Sequence, residues 1–243
     1  MNLQKALQTM FLSRRKSSEY ILTNGVKVNG KLIKEPWYEL NDTDIIEFDN
    51  TFIKVSDIIK TQNNKVYYLL NKPKGYLCTF KDEYGRNTIQ ELIKNKIKEK
   101  VFYVGRLDYD SSGILLLTND GKFANFLLRP ENNISKVYNV LINGVLSQKE
   151  ILKLKNGVLL ETGYKTLPAK IKILQKHDNS SLIQITINEG KKRQIKLMIK
   201  SLGYKVIELT RIKFGPWNID EVPHPGDIKK INEVDFAKIG YKK

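Results

Sequence analysis

An acidic and hydroxylated segment stands directly before a run of aliphatic residues near the middle of the chain. Residues 105–113 read GRLDYDSSG, and residues 114–117 read ILLL. Four consecutive aliphatic residues predict a buried strand, so the polar side chains lie in the loop that leads into it. A carboxylate held beside a rigid strand can act as a base or a nucleophile. Spacing alone, however, favours a turn-capping role for both Asp108 and Asp110.

Basic side chains follow a helical pattern in a second segment, which is predicted to be a helix over 192–202 that stops at Gly203. Four apolar residues recur on one side of it, namely Ile195, Met198, Ile199 and Leu202. Three basic residues fall on another side, namely Arg193, Lys196 and Lys200. This basic stripe fits either phosphate contact or a solvated helix face.

The elements that must position these segments indicate an α+β fold. Strands are predicted at 66–70, 114–117, 137–142, 171–174 and 182–187, and further helices at 88–95 and 121–128. Because strands and helices do not alternate regularly, we expect an α+β fold with a largely antiparallel sheet. Asp120 is predicted to cap the helix 121–128. The short polar segment 60–65 predicts a linker between a domain at 1–60 and a domain at 61–243.

The N-terminal segment predicts a small module of two helices and a hairpin. Leu3, Ala6, Leu7 and Met10 recur at helical spacing, Ser13 is predicted to cap a helix 14–24 that ends before Gly25, and Asn29-Gly30 predicts a tight turn. Six basic residues and one acidic residue lie between 14 and 34, whereas six acidic residues and no basic residue lie between 35 and 49. Such segregation favours one face for RNA, with Arg14 and Arg15 as contacts, over a simply solvated basic face.

Composition restricts the class of protein. The net charge is +16, which is typical of a protein that binds a polyanion, although codon usage that favours lysine is a competing explanation. One cysteine, Cys78, excludes an internal disulfide, and with two histidines it leaves too few ligands for a zinc site. No apolar run approaches the roughly 20 residues of a membrane span, and the N-terminus lacks a signal-peptide pattern. We therefore expect a cytoplasmic protein with no membrane partner and no metal.

Several motifs, in order along nearly the whole chain, resemble those of RNA pseudouridine synthases. They are GRLD with SSGILLLTNDG (105–108 and 111–121), LNKPKG (70–75), KVYNV (136–140), and EGKKRQIK with RIKFG (189–196 and 211–215). The N-terminal motifs LQKAL, LSRRK and VKVNGK resemble the RNA-binding domain first known from small-subunit ribosomal protein S-four. Together the motifs resemble the branch that modifies ribosomal RNA and carries such a domain in front. This resemblance implies that the second domain has a mixed sheet flanked by helices and a central cleft.

The resemblance implies roles for individual residues. It makes Asp108 the catalytic carboxylate, places Tyr138 against the target base, and makes Lys196 the positive partner of Asp108, where many relatives have Arg. Leu209 matches an apolar residue of the pocket, and a plain core role competes with that role. Arg106 is implied either to fill the space that a flipped uridine leaves or to hold a flanking phosphate.

Two further positions, Arg193 and Lys72, are expected to bind substrate. For Lys72, as for Lys74, an exposed basic turn is the simpler alternative to contact with the RNA backbone.

The expected activity is isomerisation of a uridine in ribosomal RNA by a monomer without a cofactor. Residues 105–127 most resemble the large-subunit enzymes of type B, which favours 23S ribosomal RNA over 16S ribosomal RNA. A catalytically idle RNA-binding or assembly factor is a different class, and the set of Asp108, Tyr138 and Lys196 argues against it. A methyltransferase should show a glycine-rich cofactor loop after a strand, and the sequence has none.

Overall fold

The computed structural model describes residues 1–10 and 13–241, without the side chains of Met10 and Val234. The start of the LSRRK motif and the side chain of Met10, the last residue of the predicted helical repeat, therefore lie outside the described residues. The chain divides into two compact units, Met1–Lys65 and Val66–Lys243. The segment 60–65 is not all linker as predicted, because a helix continues through it as far as Asn63. The boundary between the units lies five residues later than the predicted one.

The first unit consists of helices around a small antiparallel sheet. Its elements are α1 (Leu3–Met10), α2 (Arg14–Asn24), β1 (Val26–Val28), β2 (Lys31–Ile33), β3 (Ile45–Phe48), β4 (Thr51–Lys54) and α3 (Val55–Asn63). The strands pair in the order β2-β1-β3-β4. Leu3, Leu7 and Ile21 pack with Val55 and Ile58 in its core.

Local signals in this unit act as the sequence predicts. The Ser13 side chain accepts a hydrogen bond from the Lys16 amide, and α2 ends before Gly25. Asn29 and Gly30 both have positive φ, 51° and 80°, which is the backbone that a two-residue hairpin turn requires.

The second unit contains the remaining elements. They are β5 (Tyr67–Lys72), α4 (Ile89–Ile93), β6 (Phe102–Val104), β7 (Ser112–Thr118), α5 (Gly121–Leu128), β8 (Lys136–Asn143), α6 (Gln148–Asn156), β9 (Lys170–His177), β10 (Ser180–Ile187), α7 (Gln194–Lys200), β11 (Val206–Phe214), β12 (Trp217–Asn218) and β13 (Ile228–Lys230). Among the described residues, nine strands form one sheet in the order β13-β5-β7-β11-β8-β10-β9, with β6 beside β7 and β12 beside β11.

The centre of this sheet joins β7 to β11. These two strands run parallel, with Thr210 opposite Ser112 and Arg211 opposite Gly113, whereas the other strand pairs that the structure describes are antiparallel. The α+β fold with a mixed, largely antiparallel sheet is therefore confirmed. A Cβ at Gly113 would lie 2.2 Å from the Arg211 carbonyl oxygen, so glycine permits this close pairing.

The aliphatic run 114–117 is buried on both faces of the sheet. Ile114 and Leu116 pack into one core cluster, and Leu115 and Leu117 pack into another. Successive residues of a strand point to opposite faces, so the continuous apolar run reflects cover on both sides. At its far end, Asp120 accepts hydrogen bonds from the Lys122 and Phe123 amides and caps α5 as predicted.

No helix in the described part of the chain is long and apolar enough to cross a membrane.

Candidate active site

The loop between β6 and β7 carries Asp108. Its backbone turns sharply, since the Ser111 amide donates to the Asp108 carbonyl at 3.1 Å. On the other side, the Leu107 amide donates to Cys78 Sγ at 3.3 Å. The carboxylate is thus held on an ordered turn, and the Asp108 side chain is 36% exposed.

The ammonium of Lys196 faces this turn from α7. Its Nζ lies 3.7 Å from Asp108 Oδ2, and the lysine side chain is 14% exposed. The same Nζ donates a hydrogen bond to Asp110 Oδ1. This contact holds the pKa of the Asp110 carboxyl below its usual range, with burial acting in the opposite direction. Lys196 is therefore shared by two carboxylates. Asp110 is the nearer of the two, although the sequence motifs paired Lys196 only with Asp108.

Strands β8 and β11 supply the floor beside Asp108. Tyr138 lies opposite Arg211, and Val140 lies opposite Leu209. Because residues two apart on a strand share a face, Tyr138 and Lys136 project to the same side as Arg211 and Leu209. Tyr138 and Leu209 are each 7% exposed and pack in the same core cluster as Leu107.

These elements enclose a cleft of about 130 Å³. Its lining contains Gly105, Arg106, Leu107, Asp108, Ser111, Leu128, Lys136, Tyr138, Ile187, Gly190, Lys191, Arg193, Gln194, Ile195, Leu209 and Arg211. The cleft therefore brings together Asp108, Tyr138, Leu209, Arg106 and Arg193, which lie up to about a hundred residues apart in the sequence.

The two arginines predicted to bind substrate lie at the open side of the cleft. Arg106 and Arg193 are both exposed. Arg193 has φ 54° and immediately precedes α7, so the helix begins two residues later than predicted. Both guanidinium groups are accessible to a polyanion.

The structure places Lys72 differently from either interpretation of the sequence. Its side chain is fully buried, and Nζ donates to the carbonyls of Pro73 and Ser111, each at 2.8 Å. Burial lowers the pKa of this lysine to about 8. Lys72 is therefore neither in an exposed turn nor available to the RNA backbone; it ties the Pro73 segment to the Asp108 loop. Lys74 remains exposed and pairs with Glu208 at 2.6 Å.

Sequence reasoning missed a buried carboxylate that organises the loop before α7. Glu189 is 4% exposed. It accepts hydrogen bonds from the Tyr164 hydroxyl, the Gln194 side chain and, at 2.9 Å, the Leu167 amide. Gln194 in turn accepts from the Lys191 amide at 2.9 Å. This network shapes the loop that supplies Gly190, Lys191 and Arg193 to the cleft, and no local spacing in the sequence indicates it.

Two cations on the cleft floor, Lys136 and Arg211, were also missed as site residues. The signal was present, because Lys136 stands two residues before Tyr138 in a strand and must share its face. Arg14 and Arg15 lie at the start of α2 in the first unit, where both are exposed. No cluster of three or more histidine, cysteine or acidic residues that could hold a metal occurs among the described residues.

Comparisons with known proteins agree on one family. The family described as RNA pseudouridylate synthase matches residues 66–201. Ribosomal large subunit pseudouridine synthase B of Bacillus subtilis is 40% identical over 93% of this chain and 90% of its own length. Ribosomal small subunit pseudouridine synthase A of Haemophilus influenzae is 29% identical over 94% of each chain. A crystal structure of a pseudouridylate synthase superposes with a TM-score of 0.69, at 28% identity, over 98% of this chain and 99% of that one.

Proposed function

This chain belongs to the RNA pseudouridylate synthase family, and we propose that it converts a uridine of 23S ribosomal RNA to pseudouridine with Asp108 as the catalytic carboxylate. The observation that carries the proposal is the cleft itself. Asp108, Tyr138 and Leu209 all line this cleft, and the Lys196 ammonium lies 3.7 Å from the Asp108 carboxylate, which supports the proposal.

The reaction breaks the bond between ribose C1′ and uracil N1 and joins C1′ to C5 of the turned base. It is an isomerisation, so nothing is oxidised or reduced. The Asp108 carboxylate can attack ribose C1′ or uracil C6, and either attack requires an ionised carboxylate. The Lys196 ammonium compensates this negative charge when RNA covers the cleft and removes water.

The cleft accepts a base that has left its stack. Flipping a base out of an RNA stack costs a few kcal/mol, which favourable contacts in the cleft must offset. In our proposal the Tyr138 ring and the Leu209 side chain contact the uracil. Arg106 either fills the space that the flipped uridine leaves or binds a flanking phosphate, and Arg193 contacts the RNA backbone. Lys72 acts only through the loop that it stabilises.

The choice of ribosomal RNA rests on the relatives. The large-subunit enzyme of Bacillus subtilis is 40% identical and the small-subunit enzyme of Haemophilus influenzae is 29% identical, which favours a large-subunit target. We assign the first unit, with Arg14 and Arg15 exposed on α2, to RNA tethering, because basic residues there neutralise phosphates without reading a base.

The test is a map of pseudouridine in both ribosomal RNAs from cells with and without this protein. We expect one position in 23S RNA to lose pseudouridine in its absence and to regain it when the wild-type chain, but not Asp108→Asn, is restored. A lost position in 16S RNA would reassign the substrate. Unchanged maps in both RNAs would contradict the proposed function.

A further inference from the structure

Two buried cations stand side by side on the cleft floor. Lys136 is 6% exposed and Arg211 is 2% exposed, and both line the cleft that contains Asp108. The side chains converge on one aromatic ring, since Lys136 Nζ lies 5.2 Å and Arg211 Cζ lies 5.0 Å from the centroid of Phe214.

Their hydrogen-bonding capacity is only partly used. Arg211 Nε donates to the Ile114 carbonyl at 2.7 Å, and Lys136 Nζ donates to the Ile134 carbonyl at 3.3 Å. Within the described residues, Arg211 Nη2 and Ser111 Oγ are buried without a hydrogen-bond partner. Ser111 also lines the cleft. Arg211 Nη2, Ser111 Oγ and the remaining N–H groups of Lys136 Nζ are thus available to bind a group that enters the cleft.

The charges of this pair are only weakly compensated, by the Phe214 ring and by Glu189. Burial and, less strongly, the neighbouring Arg211 charge lower the pKa of Lys136 to about 8, and Glu189 opposes both more weakly. Neither cation forms an ion pair within residues 1–10 and 13–241. Buried cations without a carboxylate are costly to a fold, so this arrangement is typical of a site prepared for a negative charge that comes from outside.

We propose that Arg211, Lys136 and the Ser111 hydroxyl form an anion subsite for the oxygens of the uracil ring, which stabilises the negative charge that the ring acquires during isomerisation. The inference rests on the proposed function, since it concerns the same cleft and the same uridine. It assigns to these residues a direct part in the reaction.

Either course of the reaction places charge on ring oxygens. If the Asp108 carboxylate attacks C1′, the C1′–N1 bond breaks and its electron pair stays on uracil, spread over N1, O2 and O4. If the carboxylate attacks C6, the electron pair of the C5–C6 double bond moves toward O4. The C1′–N1 bond then breaks with its electron pair on N1, which takes up a proton, and C5 bonds to C1′. Loss of the C5 proton restores the C5–C6 double bond and expels the carboxylate from C6. On the C1′ course, C5 then bonds to C1′ as the carboxylate leaves with its electron pair, C5 gives a proton to solvent, and N1 takes one up.

Burial favours the base over a phosphate as the occupant. A phosphate of the target nucleotide is linked to the neighbouring nucleotides of the RNA strand. The exposed Arg106 and Arg193, at the open side of the cleft, are available to bind that strand. The base is the part of a flipped nucleotide that goes deepest. A cation that is 2% exposed therefore meets the ring and not the strand.

The experiment compares Lys136→Met with the wild-type chain and with Lys213→Gln. Lys213 is exposed on the same strand as Arg211, so this control removes one positive charge without changing the cleft. Single-turnover rates at saturating enzyme, RNA affinity over a range of salt concentrations, and the free energy of unfolding are measured for each. Arg211→Lys and Lys136→Arg retain the charge and serve as second variants.

We expect Lys136→Met to lower the single-turnover rate by about a hundredfold, the scale of losing one preorganised charge-stabilising donor. Its RNA affinity and salt slope should match those of Lys213→Gln, and its stability should equal or exceed that of the wild type. Lys136→Arg should recover much of the rate. The single-turnover rate of Arg211→Lys should fall between those of Lys136→Met and the wild type, because one amine cannot both donate to the Ile114 carbonyl and face the cleft.

Three results would overturn the inference. An unchanged single-turnover rate for Lys136→Met would show that the Lys136 charge does not stabilise the reacting uracil ring. A normal rate at saturation with a salt slope smaller by about one contact would assign the cation to a phosphate. Lower stability, with Lys136→Arg no faster than Lys136→Met, would make the role structural. A wild-type chain that does not isomerise uridine would instead refute the proposed function.

Discussion

The ammonium of Lys196 lies 3.7 Å from the Asp108 carboxylate and bridges it to the neighbouring Asp110. The lysine comes from α7 and both carboxylates come from the loop before β7. The Asp110 side chain is 65% exposed, so water weakens its attraction for the lysine. Asp108 is the more enclosed of the two carboxylates, and it depends more on this single charge.

Replacement of Lys196 tests this dependence. We expect Lys196→Met to lower the single-turnover rate by about a hundredfold or more, because the Asp108 carboxylate loses its positive partner where RNA excludes water. Lys196→Arg should remain substantially active, since a guanidinium carries the same charge. Lys200→Met is the matched control, because that lysine is on the same helix and pairs with the exposed Glu161. Equal rates for Lys196→Met and Lys200→Met would refute the pairing.

Gly113 tests the close pairing of β7 and β11. Its φ is +109°, and an added Cβ would lie 2.2 Å from the Arg211 carbonyl oxygen. Gly113→Ala should therefore lower the free energy of unfolding by roughly 2 kcal/mol or more, through backbone strain and overlap. Gly121→Ala is the control, because a Cβ there meets nothing within 4 Å. Denaturant unfolding of both variants measures the difference, and equal stabilities would contradict the pairing.

Buried lysines predict how stability depends on pH. The pKa of Lys136 is lowered to about 8, below its unfolded value of about 10.4. Between these values the unfolded chain binds more protons than the folded chain, so stability contributed by this residue rises with pH from about 8. Lys136→Met should lack this increase. Unfolding free energies of both chains at several pH values from 7 to 9.5 provide the comparison, and parallel curves would show that Lys136 titrates normally.

The separation into two units predicts that the second one works alone. A chain that begins at Val66 should fold and isomerise uridine, because Val66–Lys243 has its own core clusters. Its RNA affinity at matched salt should be several-fold weaker. A full chain with Arg14→Gln and Arg15→Gln should show part of the same loss if the first unit tethers RNA. Equal RNA affinity of the short and full chains would refute the tether.

Local sequence signals predicted many of the elements. The boundaries of α2 and α5 match the prediction, because Ser13 and Asp120 cap them through short-range hydrogen bonds. The hairpin at Asn29-Gly30 is confirmed for the same kind of reason. In contrast, β4 and α3 were not predicted. Lys54, which precedes α3, makes no side-chain cap, so the sequence gives no signal for the start of this helix.

The candidate site was predictable as a set of motifs but not as a set of contacts. The motifs named Asp108, Tyr138 and Lys196, yet the sharing of Lys196 with Asp110 depends on a contact across 86 residues of sequence. The burial of Lys72 likewise follows from strands β5 and β7 pairing with Lys72 opposite Gly113. Such properties arise from sheet register, which no short window of sequence contains.

The most direct test of the account is pseudouridine formation by Asp108→Asn, with Asp110→Asn as the matched control two residues away. The asparagine is nearly isosteric but is a poor nucleophile, so we expect Asp108→Asn to bind ribosomal RNA normally and to lose at least about a thousandfold in single-turnover rate, on the scale of losing a covalent catalytic group. Asp110→Asn should keep most of the activity, because exposed ion pairs contribute little. Near-wild-type turnover by Asp108→Asn would contradict the central claim.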